Sequence, residues 1–184
     1  MNFRIVTRIL GMLLVCEALL MLPSLAVAAY YNGTDIRAFV LSILITGLAG
    51  VPLILLKTGS RSIMYARDGF AIVALGWILL SIFGSLPFFL SGAIPSFVDC
   101  FFETSSGFTT TGASILTEIE GLPKGILFWR SFTHWVGGMG VIVLTLAILP
   151  SIGAGSVQMM KAESPGPSPG KIVPKVAETA KILY

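Results

Sequence analysis

Between two long apolar runs lies a stretch of hydroxyl side chains and glycine, Phe108-Thr109-Thr110-Thr111-Gly112-Ala113-Ser114. Residues of these types can line a path for a cation. Gly112 lacks a Cβ and can take the left-handed or extended conformations that turn a carbonyl outward. Threonines are stiff at χ1 and can brace an irregular backbone with their hydroxyls. Carbonyl oxygens arranged in this way replace the water around an alkali ion. The plainer alternative is an ordinary outer loop rich in threonine and glycine.

Just ahead of this stretch, Pro95 suits the first turn of a helix. Ser96-Phe97-Val98-Asp99 fits a capping box, with Asp99 near the positive end of the helix dipole. The pattern predicts a helix over 95–106, roughly 18 Å long at 1.5 Å per residue and so too short to cross a bilayer. Gly107 is the expected stop. Such a half-helix would aim its negative end at the membrane centre, where it favours a cation. Irregular backbone at that depth is tolerated only inside protein or beside water.

Other residues could also do chemistry. Glu103 lies one turn after Asp99. It could draw cations or brace the loop, or serve as a partner for a backbone N–H or for Arg130; structural support is the favoured role, because intramembrane acids usually pair. Arg130 could pair with Glu103, Glu118 or Glu120, or snorkel to the interface. Ser131 and His134 share a helix face, which raises an intramembrane serine hydrolase as an alternative. No oriented acid or oxyanion site accompanies them. Trp129 and Trp135 read as interface aromatics. Gly137, Gly138 and Gly140, like Gly69, Gly76 and Gly84, suit close helix packing, with a bend as the lesser alternative for the first three. Glu17 is expected to face the bundle interior or a neighbouring helix. Cys16 and Cys100 sit inside apolar runs without metal-ligand spacing, and a disulfide framework is not expected.

The elements that must hold these groups are membrane helices. The chain has 184 residues, of which 55% are hydrophobic and only 11% charged. A soluble domain of that size could not hide so much apolar surface. The net charge of +3 forms no patch or stripe, which argues against a nucleic-acid partner. Four apolar stretches stand out: 5–29, 38–56, one from Phe70, and one from about Gly125. The first has features of a signal peptide, ending Ala26-Val27-Ala28, but its length and Glu17 favour a retained helix. Asn32-Gly33-Thr34 matches a glycosylation pattern, though a tight Asn-Gly turn is the simpler reading.

Basic residues set the orientation. Arg4, Arg8, Lys57, Arg61, Arg67, Lys161, Lys171, Lys175 and Lys181 fall on one side if the helices alternate; these are nine of the twelve. The N-terminus, the middle basic loop and the tail are therefore expected to be cytoplasmic. Asp35, Arg37, Glu118, Glu120 and Lys124 lie on the other side. Ser164 to Gly170 reads as a linker, and 174–184 as the opening of another helix, so a fragment of a longer protein is expected.

Three segments carry a specific resemblance. Phe102-Glu103-Thr104-Ser105-Ser106-Gly107-Phe108-Thr109-Thr110-Thr111-Gly112 resembles the first pore segment of the Trk/Ktr potassium uptake family. Trp129-Arg130-Ser131-Phe132-Thr133-His134-Trp135-Val136-Gly137-Gly138-Met139-Gly140 is similar to the helix that follows it. Lys175-Val176-Ala177-Glu178-Thr179-Ala180-Lys181 looks like the beginning of the second repeat, and the two leading helices are more like the TrkH branch.

The resemblance implies an all-α polytopic membrane protein of the bacterial inner membrane, with four helix–pore-loop–helix repeats around one potassium path. It implies two leading helices over 1–57, a basic cytoplasmic loop over 58–69, a first repeat over 70–149, and a linker with the start of the next repeat over 150–184. Thr109, Thr110, Thr111 and Gly112 would be the first repeat's share of a K+ selectivity filter, supported by Glu103, Asp99, Arg130 and Gly138. Only one filter glycine is kept. The expected partners are membrane lipid, a second copy in a homodimer, and a cytoplasmic nucleotide-binding regulator of the TrkA type. Transport of K+ needs no covalent chemistry and no cofactor, so the chain is not expected to be an enzyme. A non-transporting scaffold is a further alternative.

Overall fold

The computed structural model describes residues 3–55 and 66–140. All regular structure among these residues is helical: α1 Phe3–Leu20, α2 Leu22–Tyr30, α3 Ile36–Leu55, α4 Ala66–Gly84, α5 Leu86–Leu90, α6 Phe97–Phe108 and α7 Lys124–Gly138.

Two of the breaks come from proline. Pro23 and Pro87 stand at the first turns of α2 and α5, directly after α1 and α4. Each lacks the N–H that would continue the preceding helix. The backbone nonetheless stays nearly helical through both joints, since Met21 N–H donates to Glu17 O at 3.0 Å and Phe89 N–H to Ser85 O at 3.1 Å. The pairs therefore act as single long elements. Phe3–Tyr30, Ile36–Leu55 and Asp68–Leu90 are each long and apolar enough to cross a membrane. They match the first three apolar stretches of the sequence. The remainder of the fourth stretch, the centre of the basic loop, the linker and the expected start of a second repeat lie outside the described residues.

The leading helices pack through glycine. A Cβ on Gly11 of α1 would lie 2.7 Å from the carbonyl oxygen of Gly50 in α3, and one on Gly50 would lie 2.9 Å from that of Gly11. The two backbones touch, the close approach that small residues allow between membrane helices. α1 also lies along α4, where Leu13 meets Gly76. The short helix α6 is wedged between α4 and α7, and α2 rests on the start of α7.

Gly84 closes this core. A Cβ there would run into Glu17 of α1 and into Thr104 and Phe108 of α6. Its carbonyl accepts the indole N–H of Trp129 in α7 at 2.9 Å. Trp129 is buried, and its ring meets Phe108 edge to face at 6.4 Å. It is a core residue, in contrast to the interface position expected from the sequence; Trp135 does remain exposed. Glu17 faces the interior as expected, and neither of its oxygens has a hydrogen-bond partner among the described residues.

Candidate functional site: a half-helix and its return loop

α6 spans twelve residues, Phe97–Phe108, two positions later than the sequence predicts at both ends. Pro95 stays outside, and Ser96 is the N-cap residue in extended conformation. The Ser96 side chain makes no capping hydrogen bond, so the position of a capping box is present without its bond. Asp99 lies in the first turn, where its charge is favoured by the dipole.

Gly107 is not the stop. It lies inside α6, and the reason is packing: a Cβ there would strike the hydroxyl of Thr133 in α7. α7 meets the same helix end again at Gly137, where a Cβ would fall on the Phe108 carbonyl. Gly138 leaves only ordinary contact distance, 3.9 Å, to the Thr110 methyl. Gly140 has φ 74° and ends α7, its N–H donating to Gly137 O at 2.9 Å.

α6 ends in a Schellman motif. Thr111 N–H donates to Ser106 O and Thr110 N–H to Gly107 O, each at 3.0 Å. The motif requires a left-handed residue between them, and that residue is Thr110, with φ 56°. A β-branched residue is seldom found there, and the conformation costs on the order of 1–2 kcal/mol. Gly112 follows with φ 76°. Among the described backbone hydrogen bonds, none ends on the carbonyls of Thr109, Thr110, Thr111 or Gly112. These four residues are exposed.

The strained turn is braced from both sides. The Thr109 hydroxyl donates to Ser105 O at 2.7 Å and lies 2.8 Å from that of Thr111. A hydroxyl has one proton, so Thr111 is the donor in that pair. Ser106 Oγ donates to Ala113 O at 2.6 Å. Glu103, buried in α6, then gathers the returning strand. Its carboxylate accepts the Ser114 hydroxyl at 3.0 Å, the Ile115 N–H at 3.0 Å and Arg130 Nε at 2.6 Å. Of the two roles open to Arg130, pairing is the observed one, and its partner is Glu103. One carboxylate thus joins the half-helix, the return strand and α7.

Ser131 and His134 do not form a catalytic pair. The Ser131 hydroxyl donates to Leu127 O at 3.1 Å, and His134 Nδ1 lies 2.9 Å from Arg130 O. Each is occupied with its own helix backbone.

One contributor is invisible to sequence reasoning. Asp35, in the turn between α2 and α3, is buried, and its Oδ2 accepts the N–H of Ile126 at 3.1 Å. α7 starts from Pro123, which has no side-chain cap of its own. The available signal was that deficiency: a helix beginning Gly-Leu-Pro-Lys leaves its first N–H groups unsatisfied. Nothing local says that the missing acceptor stands 91 residues away.

Comparison with known proteins shows the family. A family model described as TrkH, cation transport protein, matches residues 35–184. The Trk system potassium uptake protein TrkH of Halomonas elongata is 42% identical over 186 residues, covering all of this chain and 39% of the relative. Its namesake from Escherichia coli is 41% identical over 187 residues, covering all of this chain and 38% of the relative. The crystal structure of the potassium transporter TrkH from Vibrio parahaemolyticus superposes with a TM-score of 0.77 at 38% identity, over all of this chain and 36% of that one. The chain spans about two-fifths of the length of the curated relatives it matches. With the half-helix, its return loop and the apolar spans in one arrangement, this chain is a polytopic membrane protein belonging to the TrkH family of cation transport proteins.

Proposed function

We propose that this chain supplies the first of four pore repeats of a potassium uptake subunit in the bacterial inner membrane, with Thr109, Thr110, Thr111 and Gly112 as its quarter of the selectivity filter. The observation that carries the reading is the left-handed end of α6, whose next four carbonyls are claimed by no described backbone N–H. Oxygens free of internal donors are available to a dehydrated K+. They lie beyond the negative end of a half-helix, which adds a favourable potential for a cation. Strain held at Thr110 by bonds on both sides is the kind of pre-organisation that functional loops carry. Glu103 and Arg130 act as supports, and Asp99 and Gly138 line the two ends of the arrangement.

The relatives' names place them in a potassium uptake system. By extension the complete subunit works as a homodimer, with a TrkA-like nucleotide-binding regulator on the cytoplasmic side and the N-terminus facing the same side. The segments 1–57, 58–69, 70–149 and 150–184 serve as leading helices, basic loop, first repeat and connection to the second.

The test is Rb+ uptake by the complete subunit in potassium-uptake-deficient cells. Among the described residues nothing lies within 4 Å of a Cβ at Gly112, so Gly112→Ala tests backbone preference first. Uptake is expected to fall about tenfold, since a non-glycine residue at this φ is disfavoured by roughly 1–2 kcal/mol. Unchanged uptake and ion preference in a well-folded variant would remove the filter assignment. Growth rescue at low potassium by a well-folded Gly112→Asp variant would likewise count against the filter assignment.

A further inference from the structure

We propose that Asp35 is a positioning residue for ion discrimination, setting the pore loop from outside the repeat through α7 and Arg130. The proposal rests on the reading of residues 109–112 as a filter.

Asp35 holds two helices at once. Its backbone carbonyl accepts Phe39 N–H at 3.1 Å and so begins α3, while its carboxylate accepts Ile126 N–H and so begins α7. The acid is itself fixed. The turn before it is a second Schellman motif, with Asn32 at φ 47° and Gly33 N–H on Ala28 O at 2.8 Å. Glycines clear its surroundings: a Cβ on either Gly33 or Gly125 would collide with the carboxylate. Asp35 is fully buried, and its Oδ1 has no hydrogen-bond partner among the described residues. A buried acid that accepts a single hydrogen bond at its carboxylate among the described residues is costly to retain for helix capping alone.

What it holds in place is Arg130. Ile126 and Arg130 are four residues apart, one turn along α7. Arg130 grips Glu103 at 2.6 Å, and Glu103 holds Ser114 and Ile115, the return strand of the loop. Charge-assisted hydrogen bonds are short, and their strength depends on that short contact. A small axial slip or fraying of α7 at its start therefore loosens the Arg130–Glu103 grip. Released, the return strand no longer fixes the spacing of the carbonyls at 109–112. The leading helix pair, which supplies none of those carbonyls, thereby acts on selectivity.

The experiment compares the Rb+:Na+ uptake ratio of the complete subunit, normalised to protein in the membrane, for Asp35→Ala, Asp35→Asn and Arg130→Gln, alone and combined. Asp35→Ala removes the acceptor, and the ratio is expected to fall about fivefold. Asp35→Asn keeps an oxygen for Ile126 N–H and is expected to remain within about twofold of the parent. In an Arg130→Gln background, Asp35→Ala is expected to add nothing, because both act through one contact. If Asp35→Ala fails to reach the membrane, Asp35→Ser, which retains a short acceptor, takes its place, with an intermediate ratio expected. A parental ratio in the Asp35→Ala or Asp35→Ser protein, or a further fall in the Arg130→Gln background, overturns the proposal. If Gly112→Ala also leaves the ratio unchanged, it is the filter reading that has failed, and the proposal fails with it; a Gly112 effect without an Asp35 effect sinks only the coupling.

Discussion

The chain builds the same helix ending twice and fills it differently. At the end of α2, Asn32 takes the left-handed position, with Asn32 N–H on Ala29 O and Gly33 N–H on Ala28 O. At the end of α6 the hydrogen bonds repeat, with Thr110 in that position. Asparagine visits this conformation readily, whereas a β-branched residue resists it. α5 and α7 end on Gly92 and Gly140, also at positive φ, and so follow the relaxed pattern. Three of these four ends therefore terminate cheaply, and the fourth is forced. The forced one is also the one surrounded by side-chain braces. The backbone path alone does not single out the loop at 109–112; the mismatch between residue and path does.

Swaps at these positions test that contrast. The largest effect belongs to the brace. Glu103→Ala leaves Arg130 without its partner and frees Ser114 and Ile115. Removing one member of a buried pair is expected to cost about 3–5 kcal/mol, read as lower thermal stability of the complete subunit in detergent together with loss of Rb+ uptake. Stability unchanged within about 0.5 kcal/mol would show that the brace is idle.

Next is Thr110→Gly, which relieves the strain. Stability is expected to stay level or rise by up to about 1 kcal/mol, while the Rb+:Na+ uptake ratio falls because the loop is no longer stiff. A stabilised protein with the parental ratio would break the link between strain and discrimination. The smallest effect is expected at the other end. Asn32→Thr imports the strain to the turn that carries Asp35; it should lower stability by about 1 kcal/mol and, because the Asp35 acceptor is kept, move the ratio less than Asp35→Ala does. A fall in ratio as large as that of Asp35→Ala would show that strain in a turn, and not the residues at 109–112, sets the discrimination.

The sequence reveals the long apolar spans directly, because uncharged runs of this length have few other uses. It reveals the short helix less well. Pro95 and Gly107 both carry familiar boundary signals, and both mislead, since Pro95 precedes the cap and Gly107 is needed for contact with Thr133. A glycine that ends a helix and a glycine that lets another helix approach look alike until the neighbour is known. Thr110 could not be picked out as the left-handed residue, because propensity gives that place to Gly112 or to Gly107. The Glu103–Arg130 pair was open to inference from the rule that acids inside membranes find partners. Asp35 was not, since its partner is a backbone N–H on a distant helix.

Gly84 has one consequence beyond packing. With Glu17, Thr104 and Phe108 crowded around its α-carbon and Trp129 bound to its oxygen, it is the point about which α1, α4, α6 and α7 are mutually located. Even a single methyl inserted there would act as a wedge at a fulcrum, displacing the half-helix and the arginine-bearing helix together. Evolution could alter this position only in concert with its neighbours, so a chain that drifts at residue 84 should carry matching reductions in volume at 17, 104 or 108.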